Sequence, residues 1–407
     1  MKSAKYICFF SFLFLVNDCM AQVCQGSLGD PVVNITFGQG PNPGSPLSAA
    51  TTSYLYVTTS CPNDGMYTVV NSTSGCFGNS WHTVSQDHTG NPQGYFMLVN
   101  ASYQPGDFYL DTIHGLCGNT TYEFAAWVIN VLKPSACNGS GIRPNLTFSI
   151  ETLNGTVLES LNSGDIPALD VPVWKQYALS FKTQPGQSDI VVRLRDNAPG
   201  GCGNDIAVDD ITFRACGPQV SASVLGESSN EVNICVDNKK TYTLKASISA
   251  GYSSPSYQWQ VSTDSVNWTD IAGATTTSYQ RLPAGVGNYY YRIAVAEAGN
   301  ISSTKCRIVS NTLTFHEYGK LMTSATSNSP ACEGTTLTLN ATGGSSYQWQ
   351  GPNNFSAGGV PANINNVSLL AAGKYYVTVT SDAGCVQKDS VVVAVQPKPA
   401  AHRNQRR

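Results

Sequence analysis

Two adjacent carboxylates, Asp209 and Asp210, are the side chains whose type and setting best suit ligand chemistry. They lie within residues 203–216, a run rich in β-branched and aromatic residues and bounded by glycines, which predicts a β-strand. Both alternating faces of this strand are mainly apolar, so we expect at least one carboxylate to lie against buried surface. A buried carboxylate without a partner is strongly unfavourable. Structural calcium, with its all-oxygen shell, is therefore the ligand we expect, and two solvated aspartates are the alternative.

A nucleophilic site has to be weighed because Ser85, Asp87 and His88 lie together and His82 is near. Catalytic triads are assembled from separated elements, whereas neighbours in a strand or tight turn rarely face one another. The G-x-S-x-G elbow is also absent. Hydrogen bonding within a turn is the interpretation we favour for these residues.

Paired carboxylates could instead serve a glycosidase, and Glu151 with Glu159 or Asp209 stays open as such a pair. Acidic residues are sparse, however, and no group of convergent polar residues marks an active-site cleft. We therefore expect that this chain is not an enzyme.

Composition predicts an all-β chain of several domains. At about 100 to 200 residues per domain, the 407 residues allow two to four. Residues 22–216 alternate short β-rich runs with Gly, Pro, Asn and Ser, which favours a two-sheet jelly roll. Only 12% of residues are charged and the net charge is −3, so no basic face for nucleic acid is expected.

The N-terminus carries an export signal. Residues 1–21 combine two early lysines, an apolar run over 6–16 and a small-residue cleavage site at Ala21. Lipoprotein cleavage before Cys19 is the alternative, which Asp18 disfavours. No later apolar run approaches the ~20 residues that a transmembrane helix needs. We expect a secreted or cell-surface protein without a transmembrane segment.

Cysteine usage agrees with export. Without Cys8 and Cys19, eleven of the 13 cysteines remain, spread without metal-type clustering, so disulfides are expected and at least one thiol lacks an intrachain partner. Within residues 22–216 the loop positions predict the bridges Cys61–Cys76 and Cys137–Cys202. The connectivity of three further cysteines is left open: Cys24, Cys117 and Cys216.

The run Trp81 to Gly90, with its Asp-His-Thr motif, and the following Gly94-Tyr95 segment resemble the MAM domain. Residues 206–211 are similar to that family's closing A-x-D-D-I strand, and Trp174 to its central Trp. Galactose-binding-type jelly rolls close with a similar D-D-I strand. The resemblance implies an adhesive, non-catalytic jelly roll.

It also implies a structural cation, held near Asp87 and the two D-D-I aspartates. The family usually carries an acid after its first-strand Phe, whereas Gly38 follows Phe37 here. Asp30, a few residues upstream, is the substitute ligand that we predict.

An internal repeat begins after Gly217-Pro218. Residues 256–260, Ser-Tyr-Gln-Trp-Gln, recur at 346–350, and each copy has a cysteine before it and another after a tyrosine-rich strand. This plan resembles immunoglobulin-like domains, in a variant found in bacterial surface proteins of the Bacteroidetes type. We expect Trp259 and Trp349 to be core residues.

The same bracketing predicts the two bridges of the repeats, Cys235–Cys306 and Cys332–Cys385. The predicted division is a signal peptide at 1–21, a jelly roll at 22–216, immunoglobulin-like domains at 217–317 and 318–396, and a disordered tail at 397–407.

The sequence therefore predicts a modular adhesion or carbohydrate-binding protein. Its jelly roll would recognise a glycan or a protein surface, and its immunoglobulin-like domains would act as spacers. The alternatives are a non-catalytic accessory fragment of a glycan-degrading enzyme and a purely structural surface stalk.

Overall fold

The computed structural model describes residues 23–398. The predicted signal peptide and all but the first two residues of the predicted tail lie outside the described residues. The chain forms two compact units: the first holds the residues up to Gln219 together with Ser249–Pro255 and Ala296–Val309, and the second holds the rest. Nearly all regular structure is β-strand, which confirms the all-β prediction.

In chain order the strands are β1 Ser27–Ile35, β2 Leu55–Tyr56, β3 Met66–Val70, β4 Phe96–Asn100, β5 Gly106–Ile113, β6 Thr121–Asn130, β7 Asn145–Glu151, β8 Val157–Asp165, β9 Lys175–Lys182, β10 Ile190–Asp196, β11 Asp205–Gly217, β12 Val220–Val224, β13 Glu231–Cys235, β14 Tyr242–Ile248, β15 Pro255–Ser262, β16 Thr269–Asp270, β17 Ser278–Arg281, β18 Gly287–Glu297, β19 Ile308–Val309, β20 Leu313–Tyr318, β21 Ser324–Ser327, β22 Ala331–Cys332, β23 Leu337–Thr342, β24 Ser346–Gly351, β25 Phe355–Gly358, β26 Ala362–Ile364, β27 Gly373–Thr380, β28 Val386–Val393 and β29 Val395–Gln396. Short helical turns span Cys76–Asn79, Ala136–Gly139, Val236–Asn238, Thr304–Cys306 and Leu369–Ala371.

The first unit is a sandwich of two sheets. One sheet has the order β2-β3-β4-β11-β6-β9, with β1 added beside β11, and the other has the order β5-β10-β7-β8. Alternating apolar side chains fill the space between the sheets, because one face of each strand must be buried. Phe124 of the first sheet meets Phe148 of the second edge to face, with ring centroids 5.7 Å apart. β11 is the longest strand and lies in the centre of the larger sheet.

A second apolar cluster of this unit includes Trp81, Phe96 and Leu98. The Trp81 Nε1–H donates a hydrogen bond of 3.0 Å to Asp205 Oδ2 at the start of β11, which satisfies the indole where it is buried. The aromatic segment before β4 is thereby tied to the strand that carries the two adjacent carboxylates.

The second unit holds most of the two repeats, and each repeat forms its own set of β-sheets. The first is built from β12-β14-β17 and β13-β20-β18-β15-β16, and the second from β21-β23-β26 and β25-β24-β27-β28, with β22 paired to β29. Trp259 and Trp349 are both 0% exposed, which confirms the predicted core positions. Neither ring can therefore stack on a sugar.

Five disulfides join the described cysteines: Cys24–Cys216, Cys61–Cys76, Cys117–Cys306, Cys137–Cys202 and Cys235–Cys385. Such bridges are typical of an oxidising compartment. No helix among residues 23–398 combines the length and the apolar character that crossing a bilayer demands.

The predicted pairs Cys61–Cys76 and Cys137–Cys202 are present, whereas Cys235–Cys306 and Cys332–Cys385 are wrong. Cys306 belongs to a segment that folds with the first unit, so it pairs with Cys117. Cys235 pairs with Cys385 of the other repeat, and Cys332 is free and exposed. Bracketing a repeat in sequence did not predict which cysteines would meet in space.

Limited proteolysis under non-reducing conditions tests both this connectivity and the predicted three-domain division. Cleavage should occur beside the predicted boundaries, at the exposed Gln219 after β11 and at residues 319–320 after β20, because residues 217 and 317 themselves lie within those strands. The cleaved pieces should stay together until reductant is added, because Cys117–Cys306 and Cys235–Cys385 cross those positions. Fragments that separate without reduction would contradict the connectivity, and a chain resistant at both places would contradict the division.

Candidate functional site

A β-bulge in β11 places Asp209 and Asp210 side by side. Against β6, Asp209 pairs with Trp127 and Thr212 with Ala125, so β11 has one residue more than its partner over this step. Asp210 adopts a φ of 43°, a left-handed conformation that is uncommon for a residue with a side chain. Such bulges redirect side chains out of the strand alternation. Both carboxylates consequently lie near the middle of β11, on the side that faces His88.

The Asp209 carboxylate is buried, with 1% of the side chain exposed, and backbone donors fix its position. Its Oδ1 accepts a hydrogen bond of 2.8 Å from the Asp210 amide, and its Oδ2 accepts one of 3.0 Å from the His88 amide. These bonds offset part of the desolvation of the carboxylate.

His88 completes a cluster that we call the bulge cluster: His88, Asp209 and Asp210. The His88 Nδ1 lies 2.5 Å from Asp210 Oδ2 and 3.8 Å from Asp209 Oδ2. The imidazole stacks on Trp127 with ring centroids 4.3 Å apart and an interplanar angle of 18°. Sequence reasoning missed this role because it considered His88 only as a possible base; its position next to Asp87 in the Asp-His-Thr motif was the available signal.

The two other predicted ligands lie outside the bulge cluster. Asp87 Oδ1 accepts hydrogen bonds from Thr89 Oγ1 (2.7 Å) and from the Asn91 amide (2.8 Å). The Asp87 Oδ2 packs closely against Gly94, so that a Cβ atom at residue 94 would lie 1.9 Å from this oxygen. Asp30 is exposed on β1, five positions before Ile35, the residue that pairs with Ile211. At ~3.3 Å per residue, Asp30 is therefore about 16 Å along the strand from the bulge.

The bulge cluster fits calcium poorly. Calcium takes about six to eight oxygen ligands. Here an imidazole nitrogen lies beside the carboxylates, both Asp209 oxygens already accept backbone hydrogen bonds, and Asp87 is held by its own turn. The partner that a buried carboxylate requires is thus supplied by protein groups, so the predicted calcium stays a prediction to be measured.

Burial dominates the electrostatics of this part of the unit. It raises the pKa of Asp209 to about 7 and also raises the pKa of Asp210. The negative charge of Asp87 adds to both rises, whereas contacts with His88 oppose them. Burial likewise raises the pKa of Asp196 to about 7 and holds the pKa of Asp205 well above its usual range.

The residues weighed for catalysis serve other contacts. The ring of buried His82 is bonded through Nε2 to the Leu169 carbonyl oxygen at 2.9 Å, and Ser85 is exposed. Glu159 pairs with Ile150, the neighbour of Glu151, so the two glutamates point to opposite faces of their sheet. Asp209 lies on the other sheet. None of the proposed catalytic groupings is assembled in this geometry.

A second polar surface lies on the outer face of the four-stranded sheet. A depression of about 370 Å³ crosses β7, β8 and β10 there, and we call it the sheet-face groove. The polar side chains that line it are Thr147, Ser149, Glu151, Ser160, Arg193 and Arg195. They alternate along the strands with buried residues such as Phe148 and Leu194, so one set of strands supplies both the core and the groove.

Ion pairs hold the long side chains of this groove in place. Arg193 donates from Nε and Nη2 to the two oxygens of Glu151, at 2.9 and 3.0 Å, and also contacts Asp107. Arg195 Nη1 donates to Asp107 Oδ1 at 2.9 Å. The Arg193 guanidinium lowers the pKa of Glu151, which keeps that carboxylate ionised. The groove is therefore a preordered array of donors and acceptors.

Amides and hydroxyls extend the array along β7. Asn197 Nδ2 donates to Thr147 Oγ1 at 2.8 Å and to Asn145 Oδ1 at 3.1 Å. Sequence analysis did not identify this surface, because its residues are shared among strands that lie far apart in the chain. The alternation of polar with apolar residues in β7 and β10 was the only available signal.

Comparison with known proteins leaves the family of the whole chain open. A model for a domain of unknown function, DUF8696, matches residues 224–315, and no curated protein matches. A Stig cyclase from Fischerella is 14% identical, over 37% of this chain and 73% of that one, with a TM-score of 0.28. Murine CEACAM1b is 15% identical, over 44% of this chain and 100% of that one, with a TM-score of 0.25. The sugar-binding C-terminal domain of EclA is 16% identical, over 28% of this chain and 81% of that one, with a TM-score of 0.19. These TM-scores are too low to carry an argument about function.

Proposed function

We propose that this protein is a secreted or cell-surface, non-catalytic binding protein whose first unit recognises a glycan in the sheet-face groove. The observation that carries the proposal is the fixed array of hydroxyl, amide, carboxylate and guanidinium groups along one open sheet face. Sugars offer several hydroxyls that both donate and accept hydrogen bonds, so they match a surface with both kinds of group.

Preordering supports binding at this surface. Because Arg193 is already held by Glu151 and Asp107, less side-chain entropy is lost when a ligand binds. Arg195 keeps 44% of its side chain exposed and can direct its remaining donors at a ligand. Val157, at the edge of the groove and 55% exposed, offers apolar contact for a sugar ring.

The immunoglobulin-like domains act as spacers in this proposal. Their tryptophans are buried in the cores, so the aromatic platforms that often bind sugars are not offered by these two residues. Adhesion to a protein surface through the same groove is the competing ligand class, and a structural stalk without any ligand is the competing function.

Glycan-array binding by the mature chain, followed by calorimetry on the glycans it retains, tests the proposal. Arg195→Ala and Thr147→Val should each weaken binding, the arginine variant by about tenfold or more, because it loses at least one charge-assisted hydrogen bond of roughly 1.5 kcal/mol. Both positions are partly or fully exposed, so the fold should tolerate the changes.

Lys388→Ala is the matched control, since it removes one exposed cation from the second unit. Glycan binding that is equal in the control and in both groove variants would place the ligand elsewhere. An array without any retained glycan would favour the protein-ligand or stalk alternatives.

A further inference from the structure

A cavity of about 550 Å³ lies in the first unit, at the end of the larger sheet where β6 begins and where β9 and β11 end. Its volume falls in the range of about 300 to 1,000 Å³ that is typical of small-molecule sites. We propose that this cavity, which we call the strand-end pocket, binds a sugar acid whose carboxylate pairs with the Lys182 ammonium. The sheet-face groove crosses the smaller sheet instead, so this inference adds a second ligand site and does not rest on the first.

Segments that lie far apart in the chain close the strand-end pocket and hold its walls in place. Residues 250–253 and Glu297 form one wall, where the two Glu297 oxygens accept hydrogen bonds from the backbone amides of residues 253 and 254, at 3.1 and 2.8 Å. The Cys117–Cys306 disulfide fixes the segment after Glu297 to the loop before β6. Because the walls are held before a ligand arrives, less entropy is lost on binding.

Lys182 supplies the charge for an anionic ligand. It is the last residue of β9, it is exposed, and its ammonium forms none of the ion pairs found among residues 23–398. Thr121 of β6 lies directly opposite Lys182 in the sheet, so both side chains project from the same face. An ammonium beside a hydroxyl can hold a carboxylate through charge-assisted hydrogen bonds.

Glu297 restricts the ligand further, because the strand-end pocket also carries this negative charge. Each Glu297 oxygen accepts one backbone amide and keeps a lone pair for another donor. A phosphate group, with close to two negative charges at neutral pH, would be repelled by Glu297. A sugar acid offers a single carboxylate for Lys182 and several hydroxyls that can donate to Glu297.

Tyr252 brings an unused hydrogen-bonding group to the wall of the strand-end pocket. Its hydroxyl oxygen is shielded from bulk solvent and has no partner within the described residues. Burial raises the pKa of Tyr252 to about 12 and the charge of Glu297 adds to the rise, so the hydroxyl keeps its proton at neutral pH and can donate. An unpaired buried hydroxyl lowers stability. A sugar oxygen in the pocket would supply the partner that the protein does not.

Calorimetry of the mature chain with D-glucuronate tests the assignment. A single sugar acid should bind with a Kd on the order of 1 mM, as expected for a ligand of this size. D-Glucose, which lacks the carboxylate, should bind about tenfold more weakly or worse, because it cannot form the charge-assisted contact with Lys182. Glycine, which has the carboxylate but no hydroxyls, should also bind more weakly than glucuronate.

Two variants remove the groups that the proposal uses. Lys182→Met keeps the length of the side chain without its charge, and it should weaken glucuronate binding by about tenfold or more. Lys175→Met is the matched control, since Lys175 is an exposed lysine at the other end of the same strand. Tyr252→Phe should weaken binding by about threefold or more, while the melting temperature of the ligand-free chain stays unchanged or rises, because the hydroxyl has no partner in the protein. A tyrosine with a purely structural role would not separate these two readouts.

Equal glucuronate binding by Lys182→Met and by the Lys175→Met control would overturn the proposal. So would glucose or glycine binding as tight as that of glucuronate, or a chain that shows no glucuronate binding at about ten times the expected Kd. Arg195→Ala separates this site from the sheet-face groove, because a loss of glucuronate binding in that variant would place the sugar acid in the groove and overturn the assignment to the strand-end pocket.

Discussion

Arg281→Met should lower the free energy of unfolding of the second unit by about 3 to 5 kcal/mol, because it leaves a buried carboxylate without its cation. Arg281 is 0% exposed and its Nη2 lies 2.6 Å from Oε1 of Glu317, which is 2% exposed. The nearest other cation, Lys239, has its Nζ 3.8 Å from Glu317 Oε2, too far for a hydrogen bond.

The double variant Arg281→Met with Glu317→Leu should recover most of that loss. The guanidinium lies over Phe315 at 4.6 Å and over Tyr291 at 5.7 Å, so the surroundings of the pair are already aromatic and apolar. Its Nε and Nη1 and the Glu317 Oε2 make no hydrogen bonds, so the pair is incompletely satisfied. Replacing such a pair by apolar residues of similar volume is often neutral.

Urea unfolding of the two single variants and the double variant measures the coupling directly. The Ala284 amide also bonds to Glu317 Oε1, at 2.7 Å, and the double variant loses this bond too. A residual deficit of about 1 kcal/mol is therefore expected. A double variant as unstable as the sum of its single variants would show that the two charges do not act as a pair.

Local pattern was enough to predict the strands but not the division of the chain into units. Alternating apolar residues and the recurring Tyr-x-Trp strand placed Trp259 and Trp349 in two cores. Nothing local indicates that residues 296–309 fold with the first unit. That follows from distant contacts, such as Asn300 Nδ2 with the Gly118 carbonyl oxygen at 3.1 Å and the close approach of Gly29 to Arg307.

The same holds for the candidate sites: features set by the local sequence could be predicted, and features set by contacts between distant segments could not. The paired aspartates and their strand could be recognised, because burial on a mainly apolar strand follows from sequence alone. The bulge could not be recognised from the sequence, since Asp210 is not a glycine and its residue type does not indicate a positive φ. The sheet-face groove depends on the register that places Arg193 beside Ser149, and register between strands so far apart comes only from the assembled sheet.

Asp196→Asn should stabilise the first unit at pH 8 and leave its stability at pH 4 nearly unchanged. Burial raises the pKa of Asp196 to about 7, and its Oδ2 is buried without a hydrogen-bond partner. Between about pH 4 and pH 7 the folded state therefore binds more protons here than the unfolded state does. The contribution of this group to the free energy of unfolding is complete below the pKa of the unfolded state. It is lost as the pH rises through the pKa of the folded state.

The expected gain at pH 8 is on the order of 4 kcal/mol as an upper bound, because the rise is about three pKa units at 1.36 kcal/mol each. An asparagine imitates the protonated acid: its oxygen can keep the 3.1 Å bond from the Ala198 amide, and its NH₂ group supplies a donor beside Asn204, whose Oδ1 also lacks a partner. The pKa values of Asp205 and Asp209 are raised as well, so the Asp196→Asn variant should still lose stability with rising pH, but with a shallower slope than the wild type. Urea unfolding from pH 4 to pH 8 measures that slope, with Asp170→Asn, at an exposed site of the same unit, as the control. If Asp196→Asn and the control keep the wild-type slope, the Asp196 carboxylate must be ionised in the folded state well below pH 7, and its burial would have to be compensated by a bound cation.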